Sequence, residues 1–208
     1  MRYIFIHGLG QTPATWDKTI SALGIDNFVC PNLPALVHNT DKTYQSLYSA
    51  FSTYCDSFND KMILCGLSLG AVLALNYAVD NAGKVGRLIL IAPQYKMPKG
   101  MLRFQNFIFR FMPKSMFDEI GFAKNDYISL CKSMMNLDFG DSLNRITCPT
   151  LVLHGEKDSA NKKAAAEIAA KIKNADLQFV AGSGHEVNVD APEKLAEIIH
   201  TFINKTAG

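Results

Sequence analysis

Met62-Ile63-Leu64-Cys65-Gly66-Leu67-Ser68-Leu69-Gly70-Ala71-Val72-Leu73-Ala74-Leu75 decides the fold of this chain. Its first four residues form a short apolar run that stops at a glycine, the mark of a buried strand. From Leu69 to Val79 the chain is apolar nearly all round, which marks a deeply buried helix. A serine between two glycines, set between a strand and a helix, is the arrangement that presents a reactive hydroxyl on a sharp, strained turn. The glycines at 66 and 70 relieve clashes with neighbouring backbone. The helix start places partial positive charge where an oxyanion would develop. The G-x-S-x-G pattern alone is modest evidence, expected by chance on the order of 0.1 times in a chain of this length. A serine N-cap in a Gly-rich turn would read the same way, so the strand–turn–helix setting carries the argument.

The same alternation extends in both directions. Further β-rich runs occupy Tyr3–Ile6, Phe28–Cys30, Arg87–Ile91, Thr150–Leu153 and Leu177–Val180. Apolar on both faces, they suit a parallel sheet covered by helices on each side. Helical spacing is predicted between them, over Thr12–Leu23, Lys42–Phe58, Asn161–Ile172 and Ala191–Ile203, with Pro13 and Pro192 placed for a first helical turn. Strand and helix alternating over 208 residues predict one α/β domain with right-handed crossovers. From about Gln94 to Leu143 the rhythm breaks. No strand is evident there, and the stretch is crowded with Phe and Met, so it reads as a helical insertion over the sheet's edge.

Bulk properties narrow the function. A net charge of +2 and the lack of a basic run give no footprint for nucleic acid. No apolar stretch approaches the roughly 20 residues of a membrane span, and the run Tyr3–Ile6 is too short for a signal peptide. Five cysteines, an odd number without a C-x-x-C pair, predict reduced thiols and no zinc site. The expectation is a cytoplasmic protein.

Three more stretches bear on chemistry. His7-Gly8-Leu9-Gly10 follows the first strand. Its glycines let a turn approach a substrate closely, and the Leu9 and Leu69 backbone N–H groups are the candidate oxyanion donors. Asp158 follows the strand Thr150–Leu153, where an acid would lie at the functional edge of an open α/β sheet. The competing role for Asp158 is the N-cap of the helix that follows, and Glu156 is a weaker candidate acid. His185 lies on the Gly-rich loop Gly182–Glu186 after the last strand, placed to act as general base and then general acid. His7 and His154, at strand ends, read as scaffold. His38 lies in a loop, and His200 on the solvent face of the last helix. Ser68, Asp158 and His185 thus occur in the chain order expected of a nucleophile, acid and base on such a sheet, each after a separate strand.

With these residues in place, the chain resembles the α/β-hydrolase superfamily, specifically its small single-domain members. Phe5-Ile6-His7-Gly8-Leu9-Gly10 with Trp16 is similar to the family's H-G-x-G turn. Gly184-His185-Glu186 through Ala191-Pro192-Glu193 is similar to its G-H loop and closing helix. The resemblance implies a three-layer fold whose mostly parallel sheet of about six strands lacks the family's first two, with a helical lid at about 94–143. It implies a serine hydrolase without metal or cofactor, acting on an ester or related acyl compound. Acyl transfer, or cleavage of peptide or C–C bonds by the same triad, stays open, as does a non-catalytic binding module that keeps the pocket. The family's D-x-P-G-x-G loop is replaced by Cys30-Pro31-Asn32-Leu33-Pro34-Ala35, which weakens the substrate analogy.

The insertion offers candidate pocket walls. Leu9, Met97, Met101, Phe104 and Phe107 would suit an apolar acyl chain, and flexible methionines would make the pocket tolerant. Arg103, Asn106, Arg110 and Lys114 can share one helical face. The favoured reading is an ordinary lid with a solvated basic side. An acyl-binding cap with a positive rim, and a segment touching anionic membrane, are the alternatives.

Overall fold

The computed structural model describes residues 1–97, 99–100 and 123–205. The elements are β1 (Arg2–Ile6), a 3-10 turn (Pro13–Trp16) leading into α1 (Asp17–Leu23), β2 (Phe28–Val29), α2 (Leu33–Leu36) and α3 (Tyr44–Asp56). They continue with β3 (Met62–Leu67), α4 (Leu69–Asp80), β4 (Val85–Ile91), α5 (Lys124–Met134), β5 (Thr150–Gly155), α6 (Ser159–Lys171), β6 (Ala175–Val180), α7 (Val187–Asp190) and α8 (Pro192–Asn204). The six strands form one sheet in the order β2-β1-β3-β4-β5-β6, and every pairing is parallel.

Alternating strand residues feed two cores, because successive side chains point to opposite faces. Ile4, Ile6, Leu64, Leu88, Leu90 and Val152 pack under α3, α4 and α6. Phe5, Ile63, Cys65, Ile89, Leu151 and Leu153 pack on the other face against Trp16, Ile20 and Leu23 and against Leu195, Ile199 and Phe202 of α8. The result is the three-layer architecture expected, with the sheet between two helical layers. β3 and β5 are buried throughout, as continuous apolar runs predict.

Two runs, at the two edges of the sheet, depart from the two-faced burial expected of them. In β2, Phe28 is 39% exposed. β6 is mostly exposed, with Leu177 at 44% and Phe179 at 58%. It is the last strand of the sheet, paired only with β5.

The two ends of the stretch 94–143 are tied to each other. Lys96 and Asp138 form an antiparallel bridge, the Met97 amide donates to the Leu137 carbonyl at 3.1 Å, and the Phe139 amide donates to that of Tyr95 at 2.8 Å. Tyr127, Leu130 and Met134 of α5 join the larger core. The Tyr44 amide at the start of α3 donates to the Ser133 hydroxyl at 2.7 Å. The described part of this stretch therefore packs over α3, on a face of the sheet. Met101, Phe104, Phe107 and the basic row Arg103, Asn106, Arg110 and Lys114 lie outside the described residues.

Candidate active site

Strand order brings the candidate residues to one edge. The chain passes from β1 outward to β2, then returns to the other side of β1 with β3. This reversal is a topological switch point, where a crevice opens beyond the carboxyl ends of the strands. His7-Gly8-Leu9-Gly10 leaves the end of β1 and Ser68 leaves the end of β3, so they flank that point.

Ser68 has φ 53° and ψ −112°, a left-handed conformation that non-glycine residues avoid. It is held there from both sides: its amide donates to the Ile91 carbonyl at 2.9 Å, and its carbonyl accepts from Val72 at 3.0 Å. The flanking glycines are sterically required. A β-carbon on Gly66 would lie 2.3 Å from the Gly70 carbonyl oxygen, and one on Gly70 would lie 2.1 Å from that of Ile6. The start of α4 therefore sits hard against β1, and neither contact leaves room for a methyl group. Ser68 occupies the N-cap position of α4 but makes no side-chain capping bond, so capping does not explain it.

The turn after β1 is organised by its own polar groups. The buried His7 ring meets the Gly8 carbonyl through Nδ1 at 2.8 Å and accepts from the Leu33 amide through Nε2 at 3.2 Å. Both contacts are satisfied only by the neutral ring protonated at Nδ1, and burial pushes its pKa down. His7 is thus scaffold, as its strand-end position suggests. The Gly8 amide donates to Gln11 Oε1 at 3.2 Å. The amides of Leu9 and Leu69 donate to no group among the described residues.

Asp158 and His185 meet: His185 Nδ1 lies 2.9 Å from Asp158 Oδ2. The carboxylate is 4% exposed and the ring 42%, so one edge of the imidazole faces the protein and the other faces out. Asp158 stands at the N-cap of α6, but its carboxylate makes no capping bond. It turns instead to His185 and to the side-chain Nδ2 of Asn161, which donates to both oxygens at 2.9 and 2.8 Å. Burial pushes the carboxyl pKa up, but the hydrogen bonds from His185 and Asn161 outweigh it and hold Asp158 below the usual carboxylate range.

The His185 loop is pinned over the end of β5. The Lys157 amide donates to the Ser183 carbonyl at 3.0 Å, Glu156 accepts from the Gly182 amide at 2.8 Å, and Asp190 accepts from the Gly184 amide at 2.7 Å. Glu156, the weaker candidate acid, is thus a loop anchor. Gly155 makes the crossing possible, since a β-carbon there would lie 1.9 Å from the Gly184 carbonyl oxygen.

Ser68 follows β3 and Asp158 follows β5, two strand spacings away or roughly 10 Å. An imidazole over β4 is the natural bridge. The Ser68 hydroxyl makes no hydrogen bond among the described residues, so the structure joins Asp158 to His185 but not His185 to Ser68. Of the candidate pocket walls, Leu9 is partly buried against the larger core, and Met97 lies within that core.

Three polar residues carry more of the site than sequence reading gave them. Gln11 Nε2 donates to Glu186 Oε1 and Asn188 Oδ1, both at 3.2 Å, and Asn188 returns a bond to Gln11 Oε1 at 3.3 Å. This buried amide pair ties the turn after β1 to the segment just past His185. Asn161 is the third. Its signal was the Asp-x-x-Asn spacing at a predicted helix start, which puts two side chains one turn apart on the same face. Gln11 and Asn188, 177 residues apart, carry no local signal.

Residues 3–198 match the model of the Alpha/beta hydrolase family, and the chain belongs to that family. Among curated proteins it is similar to the monoacylglycerol lipase ABHD6 of Mus musculus, 21% identical over 160 residues, 67% of this chain and 48% of that protein. The chain spans half or less of the length of the curated relatives it matches. Among solved structures, the esterase EaEST from Exiguobacterium antarcticum superposes with a TM-score of 0.80 at 17% identity, covering 99% of this chain and 92% of that one. The enol-lactonase from Burkholderia xenovorans LB400 gives 0.79 at 16% identity, covering 98% and 92%. At such identities the likeness is one of fold.

Proposed function

We propose that the chain is a serine hydrolase of carboxylic esters or thioesters, with Ser68 as nucleophile, His185 as base and Asp158 as the acid that orients it. The observation that carries this reading is the 2.9 Å pair of a buried carboxylate and a half-exposed imidazole, at the same sheet edge as a serine held at φ 53°. A carboxylate facing Nδ1 keeps the proton there and leaves Nε2 free to take one from a hydroxyl. Ser68 then attacks the carbonyl carbon. The negative charge that develops on the carbonyl oxygen is received by the Leu9 and Leu69 amides, which have no other partner among the described residues, and by the positive end of α4. His185 passes the proton to the leaving oxygen or sulfur. Water, activated by the same ring, releases the acid from the acyl-enzyme.

Esterase, lipase and lactonase are among the activities named for proteins similar to this one, and they fit a small acyl compound as substrate. The stretch 94–143 serves as the lid in this reading, and an apolar acyl part follows from its Phe and Met content. No helix among the described residues is long and apolar enough to cross a membrane. The test is hydrolysis of p-nitrophenyl esters of increasing acyl length by the wild type and by Ser68→Ala. Turnover with an optimum in chain length, lost in the variant, is expected. Equal turnover by folded Ser68→Ala would overturn the assignment.

A further inference from the structure

Asn161 is 5% exposed and stands where acid and base meet. Its Nδ2 lies 2.9 and 2.8 Å from the two Asp158 oxygens and 3.1 Å from His185 Nδ1. Its Oδ1 accepts from Gln94 Nε2 at 2.7 Å, and that same Nε2 reaches the Ala160 carbonyl at 3.4 Å. A backbone carbonyl can only accept, so Gln94 must present its NH2 group there. Gln94 therefore donates to Asn161 and fixes its oxygen, which turns the Asn161 NH2 group toward Asp158. An ionised carboxylate only accepts, so both ends of the chain Ala160–Gln94–Asn161–Asp158 agree on one orientation.

The arrangement has a chemical consequence. Two donors, Asn161 Nδ2 and His185 Nδ1, converge on one carboxylate. With both Asp158 oxygens held by Asn161, the carboxylate cannot rotate away from the ring. The alternative imidazole tautomer would set its bare Nδ1 2.9 Å from a carboxylate oxygen, lone pair against lone pair.

We propose that Asn161 is a positioning residue, set by Gln94, that clamps the Asp158 carboxylate and thereby fixes the His185 ring in its base-competent tautomer. Gln94 lies just beyond β4, at the start of the 94–143 stretch, so the clamp also links that stretch to the acid–base pair. His185 and Asn161 both hydrogen-bond the Asp158 carboxylate, and together they hold it below the usual carboxylate range. Removing the neutral amide should therefore show as a change in how Asp158 holds its proton.

This inference rests on the hydrolase reading, and the test separates the two. The pH dependence of kcat and KM is compared for wild type, Asn161→Ala, Gln94→Ala and the double variant. Asn161→Ala is expected to lower kcat by about ten- to a hundredfold, what a hydrogen bond to a charged group is worth. KM should stay within about twofold, and the acid limb should move to higher pH. Gln94→Ala should show a weaker version, and the double variant should be no worse than Asn161→Ala, because Gln94 acts through Asn161. A wild-type kcat and acid limb in Asn161→Ala, or a loss of thermal stability alone, would overturn the clamp. Should Asn161→Ala fail to fold, Gln94→Ala decides on the same two readouts. The low-field proton resonance of His185 Nδ1 supplies a measurement without turnover. It should be present in wild type and broadened or lost in the variants, and its persistence in both would refute the clamp. A wild type that keeps this resonance but takes no fluorophosphonate on Ser68 would sink the hydrolase reading and leave the clamp standing.

Discussion

Gly155→Ala tests how the His185 loop is held. Gly155 ends β5, and the loop after β6 crosses directly over it. An alanine β-carbon would lie 1.9 Å from the Gly184 carbonyl oxygen, 2.6 Å from that of Ser183 and 2.8 Å from the Gly184 carbonyl carbon. All three are backbone atoms, so no side chain can swing aside. The 1.9 Å gap must open to at least 3.0 Å, a displacement of about 1 Å in the residue before His185. The His185–Asp158 bond is 2.9 Å long, and an added ångström takes it out of hydrogen-bond range. Overpacking of this kind costs about 1–3 kcal/mol, which for a domain of this size lowers Tm by roughly 2–12 °C. Misplacing a catalytic group by 1 Å costs about a hundredfold in rate. The assay is kcat and KM on a p-nitrophenyl ester, with a thermal melt of the same sample. Gly83→Ala serves as control, because a β-carbon there meets nothing within 4 Å. The expected outcome is a folded Gly155→Ala protein with kcat down about two orders of magnitude and Gly83→Ala unchanged. Gly155→Ala with wild-type kcat would refute the claim that this crossing sets the base.

Further outcomes follow from other contacts. Gly70→Ala pushes a β-carbon to 2.1 Å from the Ile6 carbonyl oxygen, so α4 must lift from β1; a melt should show loss of stability of about 1–3 kcal/mol or more, and ester hydrolysis should fall with it. His7→Leu leaves the Leu33 amide without its acceptor, at about 1–3 kcal/mol. Because burial depresses the His7 pKa below 6.5, the folded protein refuses a proton that the unfolded chain accepts. The His7 contribution is thus present above pH 6.5 and lost as pH falls toward the folded value; melts across that range should show a shallower slope in the variant. Gln11→Ala frees the turn after β1 from Asn188 and Glu186; kcat should fall more than stability does, and an unchanged kcat would reduce this amide pair to packing.

Much of the fold was written in local pattern. The six apolar runs became the six strands of one parallel sheet, and the inner ones fill both of its buried faces. β6 shows the limit of that logic: Leu177 and Phe179 carry the same residue types as the inner strands, but their place at the sheet's edge leaves them exposed, and edge position is set by topology rather than by composition. The candidate site divides the same way. Ser68 could be found because a strained turn demands glycines at 66 and 70, a demand visible in sequence. Asp158 was ambiguous between cap and acid, and only the direction of its carboxylate, toward His185 and Asn161, decides against the cap. Gln11 and Asn188 were invisible because their partnership spans nearly the whole chain.

The most direct test of the central claim is the intact mass of the protein after treatment with a fluorophosphonate, for wild type, Ser68→Ala and His185→Ala, with peptide mapping of the adduct. A single adduct on Ser68, absent from Ser68→Ala and formed far more slowly in His185→Ala, is the predicted result. An unmodified wild type, or an adduct that persists in folded Ser68→Ala, would contradict the assignment of Ser68 as an activated nucleophile.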